Sequence, residues 1–291
     1  MRDDDTPVVL LYTNTEGELT QWDYRGILKG FPKGMQLFEC PNFFQLQGAW
    51  ILIGSPFDPV HYYAGSFDEE RLQYTPMKQG LINHSSEFYA SNTLVAPGHK
   101  VYLFAWIRAF PKGLGWNGCL ALPRAISLSD EGSLLQNPVP ELENLRGAHH
   151  DFRACTMTPR SLCFASNILG NSELIVRAEL SLDSKLEISA ILGETRLPLI
   201  SLEAGLFHVQ STPVPCADLP SDPRRQVDIR LFLDRSVLEV FIDGGRVCVS
   251  HMVENLNRMD SIEMSWNESV TLQSFDAWEM RPLTYSLHPS L

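Results

Sequence analysis

Glu39 sits between Phe38 and Cys40, and Pro41 leads from there into the apolar run Phe43-Phe44-Gln45-Leu46. A carboxylate among apolar neighbours is expected to be partly dehydrated, which disfavours its charged form and raises its pKa. A carboxylic acid that stays protonated near neutral pH is what general acid catalysis needs. Glu39 is therefore the candidate acid; the alternative is an ordinary strand-end Glu facing solvent. Cys40 is a poor nucleophile candidate, because no His in the motif could activate it. Elsewhere the chemistry is sparser. His61, His84 and the pair His149-His150 lack a Cys or carboxylate at metal-ligand spacing and read as core or solvated side chains. Asp234-Arg235-Ser236 has no His and reads as a turn. No glycine-rich phosphate loop occurs, and no metal or cofactor is expected.

The elements that must position Glu39 are strands. Val8 to Thr13 is a continuous apolar run, and Trp22-Asp23-Tyr24 alternates. Lys29 to Gly34 reads as loop by its Gly and Pro content. Phe43 to Leu46 and Ala49 to Ile53 form a hairpin turning at Gly48, and further strands are expected at 62–67, 88–94 and 101–107. Short strands at regular spacing with almost no helical periodicity mean a barrel, sandwich or propeller. Around 138–148 the pattern changes. Pro138-Val139-Pro140 leads into a short connector over 141–146, and a second β region follows. Strands are expected at 174–180, 186–191 and 270–278, and Val227, Ile229, Leu231 and Leu233 share one face. Val237–Ile242 meets Arg246–Val249 across Asp243-Gly244-Gly245, a hairpin signal. This half reads as a β-sandwich with its own core.

The chain has 291 residues, 44% of them hydrophobic, and a net charge of −12. Its length allows one large or two medium domains. The negative balance argues against nucleic acid or an anionic membrane as partner and is neutral toward a sugar. No apolar run reaches the roughly 18 residues of a membrane span. Met1-Arg2-Asp3-Asp4-Asp5 lacks the apolar stretch of a signal peptide, and the compartment stays open between the cytoplasm and, if the true start lies upstream, secretion. The six cysteines are widely spaced and read mostly as buried thiols, with a disulfide among Cys155, Cys163 and Cys216 left open. Asn83-His84-Ser85 and Asn267-Glu268-Ser269 match the glycosylation pattern, which matters only in a secreted chain.

Several stretches line up, in order, with one family. Glu39-Cys40-Pro41 resembles the acid/base motif of glycoside hydrolase family 32, the β-fructofuranosidases, invertases and levanases. Val9-Leu10-Leu11-Tyr12-Thr13 with Trp22-Asp23-Tyr24-Arg25-Gly26 resembles the strand and loop before it. Glu87-Phe88-Tyr89-Ala90-Ser91, Ala105-Trp106-Ile107, Trp116-Asn117-Gly118 and Leu122-Pro123-Arg124 follow as later stations. Leu233-Asp234-Arg235-Ser236-Val237-Leu238-Glu239-Val240-Phe241 is similar to the family's C-terminal sandwich signature.

The resemblance implies a five-bladed β-propeller followed by a β-sandwich, here as a partial propeller over 1–140 (the later blades) and a sandwich over 147–291. It implies hydrolysis of terminal fructosyl linkages in sucrose, inulin or levan by a retaining two-carboxylate mechanism. Glu39 is then the catalytic acid/base. Cys40, Glu87 and Trp106 are the substrate-binding residues, with Glu87 standing where the family usually has Asp. Trp106 could stack on a sugar face or be an ordinary core Trp, and Tyr89 reads as core. The family's nucleophile sits in an Asn-Asp-Pro-Asn-Gly motif, and no such string occurs here. Residues 1–7, despite Arg2-Asp3-Asp4, read as a variable loop. The implied chain begins partway through the propeller and is impaired as a hydrolase. Its alternative is a non-catalytic carbohydrate-binding or interaction protein on the same scaffold. Its partner is a fructose-containing di-, oligo- or polysaccharide, and open propeller edges invite a homo-oligomer that covers them.

Overall fold

The computed structural model describes residues 6–14, 17, 19–153, 161–165, 170–215 and 225–283. Nearly all of them lie in strands or tight connections, and the chain divides into two compact units, Met1–Asn137 and Pro138–Leu291.

The first unit opens with a two-stranded antiparallel sheet, β1 (Val8–Thr13) and β2 (Asp23–Gly30). A four-stranded meander follows, of β3 (Glu39–Leu46), β4 (Ala49–Ser55), β5 (His61–Asp68) and β6 (Gln73–Leu81). A third sheet takes β7 (Phe88–Ala96) and β8 (Lys100–Ile107), with the two-residue β9 (Cys119–Leu120) at the end of β8. It continues through β10 (Arg124–Leu128) to β11 (Leu134–Pro138). Antiparallel meanders of this kind are the blades of a propeller, and the sheets here do not close into a ring.

Position within the sheet explains the sequence of each strand. In β4, Ile51, Leu52 and Ile53 are all fully buried, so both faces of this inner strand are covered and its apolar run is continuous. The β6 edge is mostly exposed and tolerates Pro76. Lys29 and Gly30, expected in a loop, instead pair with Val9 and Val8. The ladder with β1 outweighs the local glycine signal. Residues 1–5 of the expected leading loop lie outside the described residues.

The second unit begins with a 3-10 helix, Pro140–Leu145, whose Leu145 carbonyl accepts the Arg281 N–H. Its strands are β12 (Arg146–Arg153), β13 (Ser161–Ala165), β14 (Asn171–Leu180), β15 (Leu186–Leu192), β16 (Thr195–Glu203) and β17 (Leu206–Val209). They continue as β18 (Thr212–Pro215), β19 (Arg225–Asp234), β20 (Val237–Ile242), β21 (Val247–Met252), β22 (Ser261–Trp266) and β23 (Thr271–Met280). Two six-stranded sheets result, in the orders β12-β23-β14-β19-β20-β21 and β13-β22-β15-β16-β17-β18. Alternate residues of both enter one core, among them Leu174, Val176, Ile188, Phe207, Leu231, Val240 and Phe275. The β20–β21 hairpin turns where expected, with Asp243, Gly244 and Gly245 all at positive φ.

Candidate active site

Phe38, the residue before β3, is buried at 9% exposure, and its ring stacks on Phe31 with centroids 4.2 Å apart. The same ring lies where a side chain on Gly54 would stand, 2.0 Å from the position a Cβ would take, so residue 54 has no room for one. Period-two alternation thus gives the buried side to Phe38 and turns Glu39 outward. Glu39 is exposed, not the partly dehydrated acid expected from its neighbours.

Two residues further the strand is bulged. Glu39 pairs with Ser55 and Asn42 with Ile53, so Cys40 and Pro41 together face the single residue Gly54. Cys40 carries a positive φ of 48°. Its side chain is exposed, against the buried thiol expected, and so is that of Cys163. Desolvation and then the neighbouring Glu39 carboxylate raise the Cys40 pKa, which keeps it a thiol and a weak nucleophile. Cys155 and Cys216 lie outside the described residues.

The next sheet repeats this arrangement. Tyr89 pairs with Trp106 and Asn92 with Phe104, so Ala90 and Ser91 face Ala105, and Ala90 has φ 49°. Glu39 and Tyr89 therefore hold equivalent places, each just before a bulge in the first strand of its sheet. Their side chains meet, with the Tyr89 hydroxyl 2.8 Å from Glu39 Oε2. That hydroxyl also lies 3.1 Å from the Ser55 carbonyl and accepts the Phe57 N–H at 3.2 Å. The Phe57 ring stacks on Tyr89 at 5.6 Å, and the Arg108 guanidinium stands 4.3 Å from the centre of the Tyr89 ring. Arg108 is itself fixed by the carbonyls of Ser86 and Phe57. Burial first, and then the hydrogen bond to Glu39, push the Tyr89 phenol up to about 12, so it remains a donor.

The other expected residues flank this pair. Glu87 precedes β7, half-buried, its N–H on Ser85 Oγ and its carbonyl accepting the Arg108 N–H. Trp106 is half-buried beside Tyr89 in the register, and its indole nitrogen would lie 1.7 Å from a Cβ on Gly118. Gly118 of the Trp116-Asn117-Gly118 stretch is thus the seat of the Trp106 ring. No hydrogen bond joins Glu87 or Trp106 to Glu39 among the described residues. Asp58 is exposed and acts on His61, whose pKa burial lowers and Asp58 partly restores. Arg124 is a core brace, 1% exposed, hydrogen-bonded to Gln136 at 3.0 Å and packed on Phe88. Asn83 is fully buried and offers no surface for glycosylation. His149, expected without a carboxylate, has Asp276 at 3.0 Å and stacks on Trp278. Among the described residues no three His, Cys, Asp or Glu side chains gather as a metal would require.

What the arrangement can do is move a proton at a fixed place. One oxygen of Glu39 is held by a phenol that stays protonated, and the other is open to solvent or substrate. Sequence reasoning singles out Glu39 and reads Tyr89 as core, and Tyr89 is indeed 4% exposed, but it neither pairs Tyr89 with Glu39 nor assigns a part to Asn42, Phe57 or Arg108. The signal for Tyr89 is its offset before Ala90-Ser91-Asn92, matching that of Glu39 before Cys40-Pro41-Asn42.

Residues 1–138 match the model of the Glycosyl hydrolases family 32 N-terminal domain, and residues 201–279 match that of Glycosyl hydrolases family 32 C terminal. A sucrose-6-phosphate hydrolase from Vibrio alginolyticus is 25% identical over 269 residues, covering 83% of this chain and 54% of that protein. A raffinose invertase from Escherichia coli is 28% identical over 284 residues, covering 86% and 56%. The chain thus spans about half the length of the curated relatives it matches. A GH32 beta-fructofuranosidase from Bombyx mori superposes with a TM-score of 0.73 at 23% identity, over 96% of this chain and 61% of that one. Fructan 1-exohydrolase IIa from Cichorium intybus gives 0.76 at 15% identity, over 96% and 67%. Likeness at these identities shows the fold, which is propeller blades followed by a β-sandwich.

Proposed function

The chain belongs to glycosyl hydrolase family 32, and from that premise we propose that it acts on terminal fructosyl linkages of the sucrose, inulin or levan class. The observation that carries this reading is the Glu39–Tyr89 hydrogen bond of 2.8 Å at the matched acid/base motif. Glu39 gives its proton to the glycosidic oxygen as the bond to the fructosyl carbon breaks, and later takes one from the attacking water. Tyr89 and Arg108 hold that carboxyl in place, and Trp106, Cys40 and Glu87 border the sugar.

The covalent step of a retaining mechanism also needs a nucleophilic carboxylate about 5–5.5 Å from the acid. The string Asn-Asp-Pro-Asn-Gly, which resemblance assigns to that nucleophile, does not occur among the 291 residues. By itself the chain therefore turns over a fructoside slowly. The same observation favours a second reading, a fructoside-binding protein without turnover. A second copy of the chain is the partner proposed for its exposed β1–β2 face.

Release of reducing sugar from sucrose, sucrose-6-phosphate, inulin and levan tests this, with Glu39→Gln alongside. The expected result is slow release that Glu39→Gln abolishes, with saturation-transfer NMR detecting the bound fructoside in both. Release unchanged in Glu39→Gln would overturn the acid/base assignment. Binding without any release would leave the second reading.

A further inference from the structure

Asn42 stands at the end of one bulge and reaches across to the other. Its Nδ2 donates to the Cys40 carbonyl at 2.8 Å, inside its own bulge, and to the Ser91 carbonyl at 3.0 Å, inside the bulge of β7. Its Oδ1 accepts from the Thr93 N–H at 2.9 Å and from Thr93 Oγ1 at 3.0 Å. Four contacts thus use both ends of one amide. Three of them cross between sheets whose residues are about fifty positions apart in sequence.

We infer that Asn42 is a positioning residue, which holds Glu39 against Tyr89 by tying together the two bulges from which those side chains spring. Glu39 lies immediately before one tied segment and Tyr89 immediately before the other. A shift of either bulge moves its side chain, because a bulge redirects the residue beside it. The amide is required for its chemistry as well as its length. It carries two donors and an acceptor oxygen, whereas a carboxylate has acceptors alone and would face the Cys40 and Ser91 carbonyls without a hydrogen to share. Asn92, the equivalent residue of the second bulge, caps only its neighbour, accepting the Thr93 N–H at 2.9 Å. The tie therefore runs one way, from the strand that carries the acid. The inference rests on the reading of Glu39 as the acid/base, for which a fixed partner matters most.

The test observes the pair itself and not turnover. In protein labelled with [13Cζ]tyrosine, the Tyr89 signal is identified by its loss in Tyr89→Phe. Its shift should step to a different value when Glu39→Gln is introduced, since the phenol donates to that carboxylate. Asn42→Ala and Asn42→Asp should each cut the step by more than half while the far-ultraviolet circular dichroism stays that of the parent. Should either variant fail to fold, Thr93→Val, which removes one of the four contacts, should still reduce the step. A full step in the folded Asn42 variants, or in Thr93→Val, would overturn the inference and leave Asn42 as a plain tie between sheets. The hydrolysis assay is independent of this readout. Loss of the step without any turnover in the parent would sustain the positioning role and remove the acid/base reading.

Discussion

The sandwich and the blade-bearing unit bury their strands differently. In the sandwich both sheets turn one face into a shared core, and residues such as Ile188, Phe207, Leu231 and Val249 are fully buried. In the first unit β1 and β2 pair only with each other among the described residues. One face of that sheet packs Val9 and Leu28 against Phe31, Phe38 and Tyr63. The other leaves Leu10, Tyr12, Tyr24 and Ile27 between 40% and 57% exposed. Two sheets suffice to close a sandwich, whereas a blade is covered only when it has a neighbour on each face. The residues that could do chemistry therefore lie in the unit that is less self-sufficient, and the buried carboxylate shared by two arginines lies in the other.

The largest effect expected from this contrast is at Glu173. It is fully buried on β14 and receives Arg146 Nε at 2.7 Å, Arg146 Nη2 at 2.8 Å and Arg230 Nε at 2.6 Å. The Glu173 carboxylate raises the Arg146 pKa against the opposing effect of burial, and that guanidinium also lies 4.1 Å from the centre of the Trp278 ring. Glu173→Ala removes the buried partner of both cations and leaves them only the half-exposed Glu143, at 3.3 Å from Arg146 and 3.9 Å from Arg230, a change that costs about 3–5 kcal/mol in buried pairs. Urea unfolding followed by tryptophan fluorescence should show the loss in the sandwich transition. A loss below about 1 kcal/mol, the value of a solvated surface pair, would mean that the network does not hold the sandwich together.

Alkali should act on the other unit. Of the eight tyrosines only Tyr285 lies beyond Asn137. Burial raises the phenols of Tyr63, Tyr74 and Tyr89, the last from 10.0 to about 12 with help from Glu39. Because the folded state holds the proton more tightly, the contribution of Tyr89 is whole below pH 10 and is lost as pH rises toward 12. For Tyr89 alone that is on the order of 2 kcal/mol. Urea midpoints at neutral pH and above pH 10 should fall for the first unit and hold for the sandwich. A parallel fall in both would remove this part of the contrast.

What could be read from the sequence follows the same division. Some inner strands of both units were legible because burial makes them continuous or alternating apolar runs, as at 49–53 and 227–233, whereas the inner strands Thr195–Glu203 and Ser261–Trp266, shorter in apolar run and interrupted by polar residues, were not. The β6 strand was not, since an edge strand such as Gln73–Leu81 is mostly solvent-facing and carries Pro and Gly, and β11, though largely buried, is only five residues long and ends in Asn137-Pro138. Glu39 was legible by its motif, but its burial was misjudged because alternation, not neighbouring residue type, decides which side chain turns inward. Tyr89 and Asn42 could not be placed. Their roles depend on two bulges coming together across sheets, and no local pattern encodes that register.

The smallest effect on stability should come from Tyr24, and it addresses what covers the open face. Tyr24 is 57% exposed and lies opposite Tyr12, with ring centroids 5.3 Å apart and planes tilted by 50°. Such a tilted pair offers no flat platform for a sugar, so an apolar sheet face is the better complement. Tyr24→Thr keeps a strand-forming residue and removes the ring. A cross-strand pair is worth roughly 0.2–1 kcal/mol, so the unfolding midpoint should scarcely move. Self-association, measured by sedimentation across a concentration series, should weaken at least tenfold. A parent that stays monomeric throughout, or a Tyr24→Thr variant that associates as tightly as the parent, would show that a second copy does not cover this face.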